Sequence, residues 1–133
     1  MLMPIVSRYM TANPRSVAPA DPVSTAHDLM REHGFRHVPV VHEGKLVGMV
    51  SDRDLHTVEI LRYEPVSQVT VARAMQRAVS TIAPDAPLDE AIERMSRERC
   101  DALAVVGKSG VVGIFTAADA LWALTDLLRR EAA

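Results

Sequence analysis

Apolar side chains in two stretches of the chain are spaced like one face of an α-helix, at i, i+3, i+4 and i+7. The positions are Leu88, Ala91, Ile92 and Met95 in one stretch, and Val23, Ala26, His27 and Met30 in the other. His27 is the only polar member of the two sets. Each stretch therefore predicts an amphipathic helix that turns this face towards a core.

Two short apolar runs follow each predicted helix. They are His37–Val41 and Lys45–Val50 after the first helix, and Ala102–Val106 and Val111–Phe115 after the second. Short, valine-rich runs bounded by glycine or charge are typical of buried strands joined by tight turns. Pro39 lies inside the first run, which predicts an edge or an irregularity where no backbone N–H is needed.

A second helix is predicted to begin at Ser51 after one pair of strands and at Thr116 after the other. Short segments also precede each amphipathic helix. They are helical turns at Val6–Met10 and Val71–Met75, and extended pairs at Ser16–Val17 and Thr81–Ile82. Helices that cover apolar strands indicate an α+β class rather than an all-β barrel.

These elements recur because the chain contains a tandem duplication. Residues 6–54 superpose on residues 71–119 with a shift of 65 and no gap, and thirteen positions are identical, among them Asp54 and Asp119. A unit of this size buries little apolar surface and is only marginally stable alone. Each copy is therefore expected to need the other, and association into a homo-oligomer is expected as well.

Composition narrows the function classes. The net charge is −2 at pH 7; residues 1–65 carry seven Lys/Arg against eight Asp/Glu, and residues 66–133 carry eight against nine. Nucleic-acid binding or a polybasic membrane anchor would need a clustered positive segment, which neither half contains. The N-terminal MLMPIV lacks the pattern of a secretory signal, no apolar run approaches about 18 residues, and the single Cys100 forms no intrachain disulfide. We expect a soluble, cytoplasmic protein.

The strongest local pattern joins a glycine in the second strand, a hydroxyl residue at its end and an aspartate three positions later. The pattern occurs as Gly48, Ser51 and Asp54, and again as Gly113, Thr116 and Asp119. One interpretation is a capping box at the start of a helix. The other is a nucleotide site, in which the helix N-terminus and hydroxyl bind phosphate, the aspartate accepts both ribose hydroxyls, and the glycine leaves room for a flat ring. The spacing leaves both interpretations open.

The segments RHVPVV and GKLVGMVSDRDL of the first copy, with ALAVV and GVVGIFTAADA of the second, resemble a pair of CBS domains. The resemblance covers residues 3–128, and the first copy is similar to the bacterial acetoin-utilisation-protein-like subgroup. We place the repeats at residues 6–62 and 71–128, with a linker at 63–70. The resemblance implies the order β-α-β-β-α in each repeat, pseudo-twofold symmetry, two clefts between the repeats and a disc-shaped homodimer.

The resemblance also implies a non-catalytic regulatory module for energy sensing, which binds adenosine compounds such as AMP, ADP, ATP, S-adenosylmethionine or NAD. In this assignment the aspartates bind ribose, hydroxyl and basic groups face phosphate, and Met49 and Ile114 lie beside the base. The implied residues of the first cleft are Arg36, His37, Met49, Ser51, Arg53, Asp54, Val79 and Ser80. Those of the second cleft are the Asn13–Ser16 segment, with Asn13 and Ser16 at its ends, and Ile114, Thr116 and Asp119.

The two implied clefts differ in charge. Where the first copy has Arg36, His37 and Arg53, the second has Asp101, Ala102 and Ala118. A polyphosphate needs positive partners, so it is expected in the first cleft. The second cleft is expected to take a nucleoside with little phosphate, or to remain empty.

Two other functions stay open beside the sensor. One is an interaction scaffold that uses the fold only to dimerise, and the other, ranked last, is a nucleotide hydrolase, for which the sequence offers no convincing base, nucleophile or metal set. No metal is expected, because the five histidines, His27, His33, His37, His42 and His56, lack ligand spacing and there is no cysteine pair. No cofactor is expected either. Cys100 and the repeated methionines at 10/75 and 30/95 are predicted to pack as apolar residues. A regulated protein partner would lie outside this sequence.

Overall fold

The computed structural model describes residues 2–61 and 68–133. After a 3-10 turn at Val6–Arg8, the elements in chain order are β1 Thr11–Ala12, α1 Val23–His33, β2 His37–His42, β3 Lys45–Ser51, α2 Asp52–Leu61, α3 Val71–Ala74, β4 Thr81–Ile82, α4 Leu88–Glu98, β5 Ala102–Gly107, β6 Gly110–Thr116 and α5 Ala117–Ala132. The α+β class and the repeated order of elements are confirmed. Most of the predicted linker, residues 63–67, lies outside the described residues.

The chain forms two compact units, and each unit begins at a different residue from the corresponding sequence repeat. One unit, here called the first-repeat unit, is Arg15–Val79. The other, the second-repeat unit, combines Met1–Pro14 with Ser80–Ala133. The N-terminal turn therefore belongs with the second repeat, and α3 belongs with the first. A gapless superposition of the two copies does not reveal this exchange.

The second-repeat unit contains a four-stranded sheet in the order β1-β6-β5-β4. β1 and β5 pair antiparallel with β6, and β4 pairs parallel with β5. Phe115 and Leu103 are fully buried at the centre of its core. The N-terminal turn is fixed to the segment before α4, since Val6 donates its N–H to Ala86 O at 2.9 Å and Leu88 donates to Pro4 O at 2.8 Å.

The first-repeat unit contains the antiparallel pair β2-β3, with single bridges from Val17 to Val40 and from Met49 to Gln76 on either side. These bridges stand where β4 and β1 stand in the other unit. The core consists largely of valines, and Val23 at the start of α1 donates its N–H to Val69 O at 2.8 Å.

Pro39 explains why the first repeat has a bridge where the second has a strand. In the second-repeat unit, Ala104 donates its N–H to Ser80 O at 3.0 Å, which extends the pairing along β4. Pro39 occupies the corresponding position and has no N–H to donate. Pairing in the first repeat is limited to Val17, which donates to Pro39 O at 3.1 Å and accepts from Val41 N at 2.9 Å. This agrees with the predicted irregularity.

The amphipathic helices bury most of the predicted face. The buried members are Val23, Ala26 and Met30 in α1, and Leu88, Ala91 and Met95 in α4. The prediction for Ile92 is wrong, because its side chain is 40% exposed. At 100° per residue, Ile92 lies at the margin of the stripe that its three buried neighbours define.

Candidate functional site

The N-terminus of α2 is closed by the capping box that the sequence suggested. Asp54 donates its backbone N–H to Ser51 Oγ at 3.1 Å, and Ser51 donates its own N–H to Asp54 Oδ2 at 2.8 Å. Both side chains are half-buried. The structural interpretation of this pair is therefore correct, and the carboxylate is held in a defined orientation.

The N-terminus of α5 repeats this arrangement. Asp119 donates its N–H to Thr116 Oγ1 at 3.2 Å, and Thr116 donates its N–H to Asp119 Oδ2 at 2.9 Å. The Thr116 hydroxyl also lies 3.1 Å from Asp119 Oδ2. The duplication has thus preserved both the backbone geometry and the aspartate in each unit.

Each aspartate has one more donor, which the sequence analysis missed. Gln76 donates from Nε2 to Asp54 Oδ1 at 3.1 Å. In the other unit, the Thr11 hydroxyl lies 3.3 Å from Asp119 Oδ1 and 3.4 Å from Oδ2. Thr11 and Gln76 are 65 residues apart and each follows a repeated methionine. The two residues differ in type, so a search for identical positions passes over them.

The glycine of the pattern makes room for the protein chain itself. A Cβ at Gly48 would lie 2.6 Å from Met75 Sδ and 2.9 Å from the backbone oxygen of Gln76. At Gly113 it would meet the Met10 sulfur, and the oxygen of Thr11 at 3.0 Å. The hypothesis that this space admits a flat ring is therefore wrong. The methionines pack against the cores, as predicted.

The first-turn amides of α2 already have partners. Asp52 donates its N–H to Arg36 O at 3.0 Å, and Arg53 donates its N–H to the Asp52 carboxylate at 2.9 Å. Together with the Asp54 bond to Ser51, this satisfies the amides that the sequence analysis assigned to phosphate. A phosphate at this helix end would have to displace the Asp52 carboxylate from the Arg53 amide.

The remaining predicted residues divide between the two units. Met49 and Ile114 are both buried, at 7% and 5% exposure, and each bridges the segment that carries Gln76 or Thr11. Arg36 and Arg53 are exposed and His37 is half-buried, all in the first-repeat unit.

The predicted closing segments lie where the chain passes from one unit to the other. Asn13 belongs to the second-repeat unit and Ser16 to the first, while Val79 belongs to the first and Ser80 to the second. Asn13 adopts a φ of 51° and donates its N–H to Val112 O at 3.0 Å. The Ser80 hydroxyl donates to the Glu98 carboxylate of α4.

Comparison with known proteins decides the family. The sequence matches the CBS domain family over residues 6–59 and 66–126. The chain belongs to the CBS domain family. It is 31% identical to the acetoin utilization protein AcuB from Vibrio cholerae, whose crystal structure superposes with a TM-score of 0.87 and coverage of 99% of this chain and 98% of that one. The similarity to the acetoin-utilisation subgroup is thereby confirmed.

Two further relatives show the range of the family. The CBS domain pair of protein MJ0100, in complex with 5′-methylthioadenosine and S-adenosyl-L-methionine, is 25% identical with a TM-score of 0.84, over 94% of this chain and 98% of that one. The inosine-5′-monophosphate dehydrogenase of Korarchaeum cryptofilum is 35% identical over 108 residues, which are 80% of this chain and 21% of the enzyme. The chain thus spans about a fifth of that dehydrogenase.

The two CBS units carry different charges around the conserved cap. The first-repeat unit has Arg36 and Arg53 beside Asp52 and Asp54. At the positions of the two arginines the second-repeat unit has Asp101 and Ala118. Its capping box contains the carboxylate of Asp119. The backbone is the same in both, because Ala117 donates its N–H to Asp101 O at 2.9 Å as Asp52 does to Arg36.

Three further properties of the CBS pair concern the described residues, 2–61 and 68–133: metal binding, membrane insertion and thiol chemistry. That part of the chain contains no group of three or more His, Cys, Asp or Glu side chains placed to share a metal ion. Over the same residues, every helix is too short or too polar to cross a bilayer. Cys100 packs against the core of the second-repeat unit, and burial raises the pKa of its thiol, so the thiol is protonated at neutral pH.

Proposed function

We propose that this CBS pair is a non-catalytic regulatory module that binds an adenosine-containing nucleotide through Asp54 and Asp119. The observation that carries the proposal is the pair of aspartates held in the same way at two helix N-termini. The binding of adenosine compounds by the related MJ0100 domain pair supports it. The ligand would act by its different affinity for two states of the protein, since only such a difference shifts an equilibrium.

The carboxylate of Asp54 is suited to a ribose. An ionised carboxylate offers about four acceptor positions, two on each oxygen. The Ser51 amide occupies one position on Oδ2 and Gln76 occupies one on Oδ1, which leaves one on each oxygen. The two neighbouring hydroxyls of a ribose supply two donors, one for each oxygen. The Asp54 side chain therefore combines a structural role in the cap with an open acceptor pair.

Phosphate groups are assigned to the basic side chains rather than to the helix amides, which have partners within the chain. Arg36 and Arg53 are exposed, and an arginine can bind a phosphate while its guanidinium group is solvated. His37 and Ser51 belong to the same proposed set. We therefore propose that nucleotides rich in phosphate prefer the first repeat, and that Thr116 and Asp119 receive a nucleoside with little phosphate.

Calorimetric titration with adenosine, AMP, ADP, ATP, S-adenosylmethionine and NAD tests the proposal. Asp54→Ala removes charge-assisted hydrogen bonds of about 1.5–3 kcal/mol each, so the affinity of the first site should fall about tenfold or more. Asp54→Asn removes the charge while an acceptor for the cap remains. Asp28→Ala, at an exposed carboxylate on α1, is the matched control and should bind as the parent does. A chain that gives no heat with any of the six ligands would instead support the scaffold hypothesis.

We also propose that the chain forms a homodimer through α5. Leu121, Leu124 and Leu128 share one face of this helix, with Trp122 beside it, and these side chains are 52–65% exposed. A second copy would remove this apolar surface from water, at about 25 cal/mol for each Å² buried. Trp122→Glu should shift the mass measured by light scattering towards the monomer. A parent protein that is monomeric at every concentration tested contradicts this part of the proposal.

A further inference from the structure

The two aspartates accept hydrogen bonds from different side chains outside the capping box. At Asp54 the donor is the amide of Gln76, 3.1 Å from Oδ1, while the Ser51 amide is bonded to Oδ2. Each oxygen thus has one partner from the chain. The Gln76 amide bonds one oxygen and the Ser51 amide bonds the other, so the remaining acceptor positions are divided equally between the two oxygens.

At Asp119 the chain donors are distributed unequally. Oδ2 accepts the Thr116 N–H at 2.9 Å and lies 3.1 Å from the Thr116 hydroxyl. The Thr11 hydroxyl lies 3.3 and 3.4 Å from the two oxygens, and its single proton serves one of them at a time. The Thr11 hydroxyl can rotate to follow a ligand, because a hydroxyl proton has no fixed direction.

The position of Gln76 is fixed by the backbone. Its N–H donates to Met49 O at 2.8 Å and its carbonyl accepts from Met49 N at 2.9 Å, a closed pair of bonds to β3. The side chain therefore starts from a point that is constant relative to Ser51, which ends the same strand. Gly48 permits this approach, because a Cβ there would lie 2.9 Å from the Gln76 oxygen.

We infer that Gln76 is a positioning residue that makes the Asp54 carboxylate selective for a vicinal diol, and that Thr11 gives Asp119 a weaker selectivity. The inference rests on the proposed function. A ligand that lacks one hydroxyl leaves an acceptor of Asp54 empty, because the Gln76 amide keeps its bond to Oδ1. At Asp119 the Thr11 hydroxyl, which lies 3.3 and 3.4 Å from the two oxygens, turns to fill the vacant position. The ribose-to-deoxyribose preference should therefore be larger at Asp54.

The test compares AMP with 2′-deoxy-AMP by calorimetry in the full chain carrying Asp119→Asn, which leaves Asp54 as the charged site. With Gln76 present, AMP should bind about tenfold more tightly than 2′-deoxy-AMP, the size expected for one hydrogen bond to a charged group. Gln76→Thr should reduce this ratio to about threefold, and Gln76→Ala should reduce it at least as far. In the Asp54→Asn background, Thr11→Gln should raise the ratio of AMP affinity to 2′-deoxy-AMP affinity at the Asp119 site.

The outcomes separate this inference from the proposed function. AMP binding with an unchanged ratio in Gln76→Ala and Gln76→Thr overturns the inference and leaves the proposed function standing. Absence of binding across the whole nucleotide panel overturns the proposed function, and the inference with it. A simple loss of stability in Gln76→Ala would weaken both ligands equally, so the ratio distinguishes a positioning role from a structural one.

A second measurement needs no ligand. In ¹⁵N-labelled protein, the side-chain amide resonances of Gln76 should shift in Asp54→Asn, because the charged acceptor is lost, and should stay in place in Asp28→Ala. Gln76 is exposed, so its substitution should leave the fold intact. Amide resonances that are the same in the parent and in Asp54→Asn would contradict the contact on which the inference depends.

Discussion

The two CBS units place the same backbone hydrogen bonds around different side chains. Both cap their second helix with a hydroxyl and an aspartate, and both join the residue after the cap to the residue before the first long strand. They differ in the size of the side chains at corresponding core positions, in the charge near the cap and in the outer face of the helix that follows. The duplication has kept what fixes the backbone and changed what a ligand or a partner would meet.

The cores show the first difference. Phe115 and Leu103 are fully buried in the second-repeat unit, and Val50 and Val38 are fully buried at the corresponding positions of the first. The second-repeat unit therefore depends on a few large side chains. The first distributes its packing over many valines, and its sheet is reduced to one pair of strands with two bridges.

The outer helix faces show the second difference. α5 exposes Leu121, Trp122 and Leu124, whereas the corresponding positions of α2 carry three polar residues, His56, Thr57 and Glu59. Both helices contact the core of their own unit, through Ala123 in α5 and through Leu55 and Val58 in α2. Among the described residues, α2 also exposes Ile60, at 67%, but the larger apolar surface that a second subunit could cover lies on α5.

The contrast between the cores predicts the largest effect. Phe115→Ala should lower the free energy of unfolding by about 3–5 kcal/mol, the range for large aromatic side chains in cores. Val50→Ala should lower it by about 2 kcal/mol, since it removes two carbon groups at about 0.8 kcal/mol each and leaves a small cavity. Urea denaturation of both variants gives the comparison. Equal losses would show that the large aromatic side chain is not the centre of its core.

The close approach beside each glycine predicts a smaller loss in both units. Gly48→Ala and Gly113→Ala should each destabilise the chain by about 1–3 kcal/mol, because the new Cβ meets a methionine side chain and a backbone oxygen. Gly107→Ala is the control, since its Cβ would have no neighbour closer than 3.4 Å. Thermal melts compare the three. If Gly48→Ala is as stable as the control, the packing of Met75 against β3 has to be revised.

The charge difference predicts an effect on ligand rather than on stability. Arg36→Asp with Arg53→Ala gives the first repeat the residues of the second. Affinity for ATP should fall about fivefold, since exposed ionic contacts contribute about 0.2–1 kcal/mol each, and affinity for adenosine should stay the same. Calorimetric titration at low and high salt checks this prediction, because screening by salt should reduce the difference in ATP affinity between the parent and the variant. An equal loss for ATP and adenosine would mean that these arginines do not select phosphate.

Much of this architecture could be predicted from the sequence, because hydrophobic period, turn residues and cap spacing are local properties. The helix beginning after Ser51 and its capping box follow from a hydroxyl and an aspartate three positions apart. The strand irregularity at Pro39 follows from its missing donor. Each of these depends on neighbours in the chain.

The parts that could not be predicted depend on contacts between distant segments. Thr11–Ala12 forms a strand only by pairing with β6, and nothing in a two-residue segment indicates this. The gapless superposition also assigns each helical turn to the repeat that follows it in the sequence. It does not show in which core the turn packs. Gln76 was missed for the same reason, since its role arises where two non-adjacent segments meet around Asp54.

The smallest effect concerns a side-chain contact of the second-repeat unit. Tyr9 is buried and donates its hydroxyl to Asp126 Oδ2 at 2.7 Å, and Arg130 Nε lies 3.1 Å from the same oxygen. The residue that corresponds to Tyr9 in the first repeat is Ala74. The hydrogen bond lowers the pKa of Asp126 and raises the pKa of Tyr9. The N-terminal turn is thereby joined to α5 by a contact that titrates.

Tyr9→Phe should lower Tm slightly, by an amount that depends on pH. Because the pKa of Asp126 is lowered in the fold, its contribution is complete above its ordinary pKa of about 3.9 and is lost as pH falls through the lowered value. The raised pKa of Tyr9 makes its contribution complete below about 10 and lost as pH rises further. The gap in Tm between parent and variant should therefore be widest between about pH 4 and 10. Thr125→Ala, on the exposed side of α5, is the control and should change Tm by the same amount at every pH. A Tm difference for Tyr9→Phe that is equally independent of pH would show that the contact to Asp126 does not stabilise the fold.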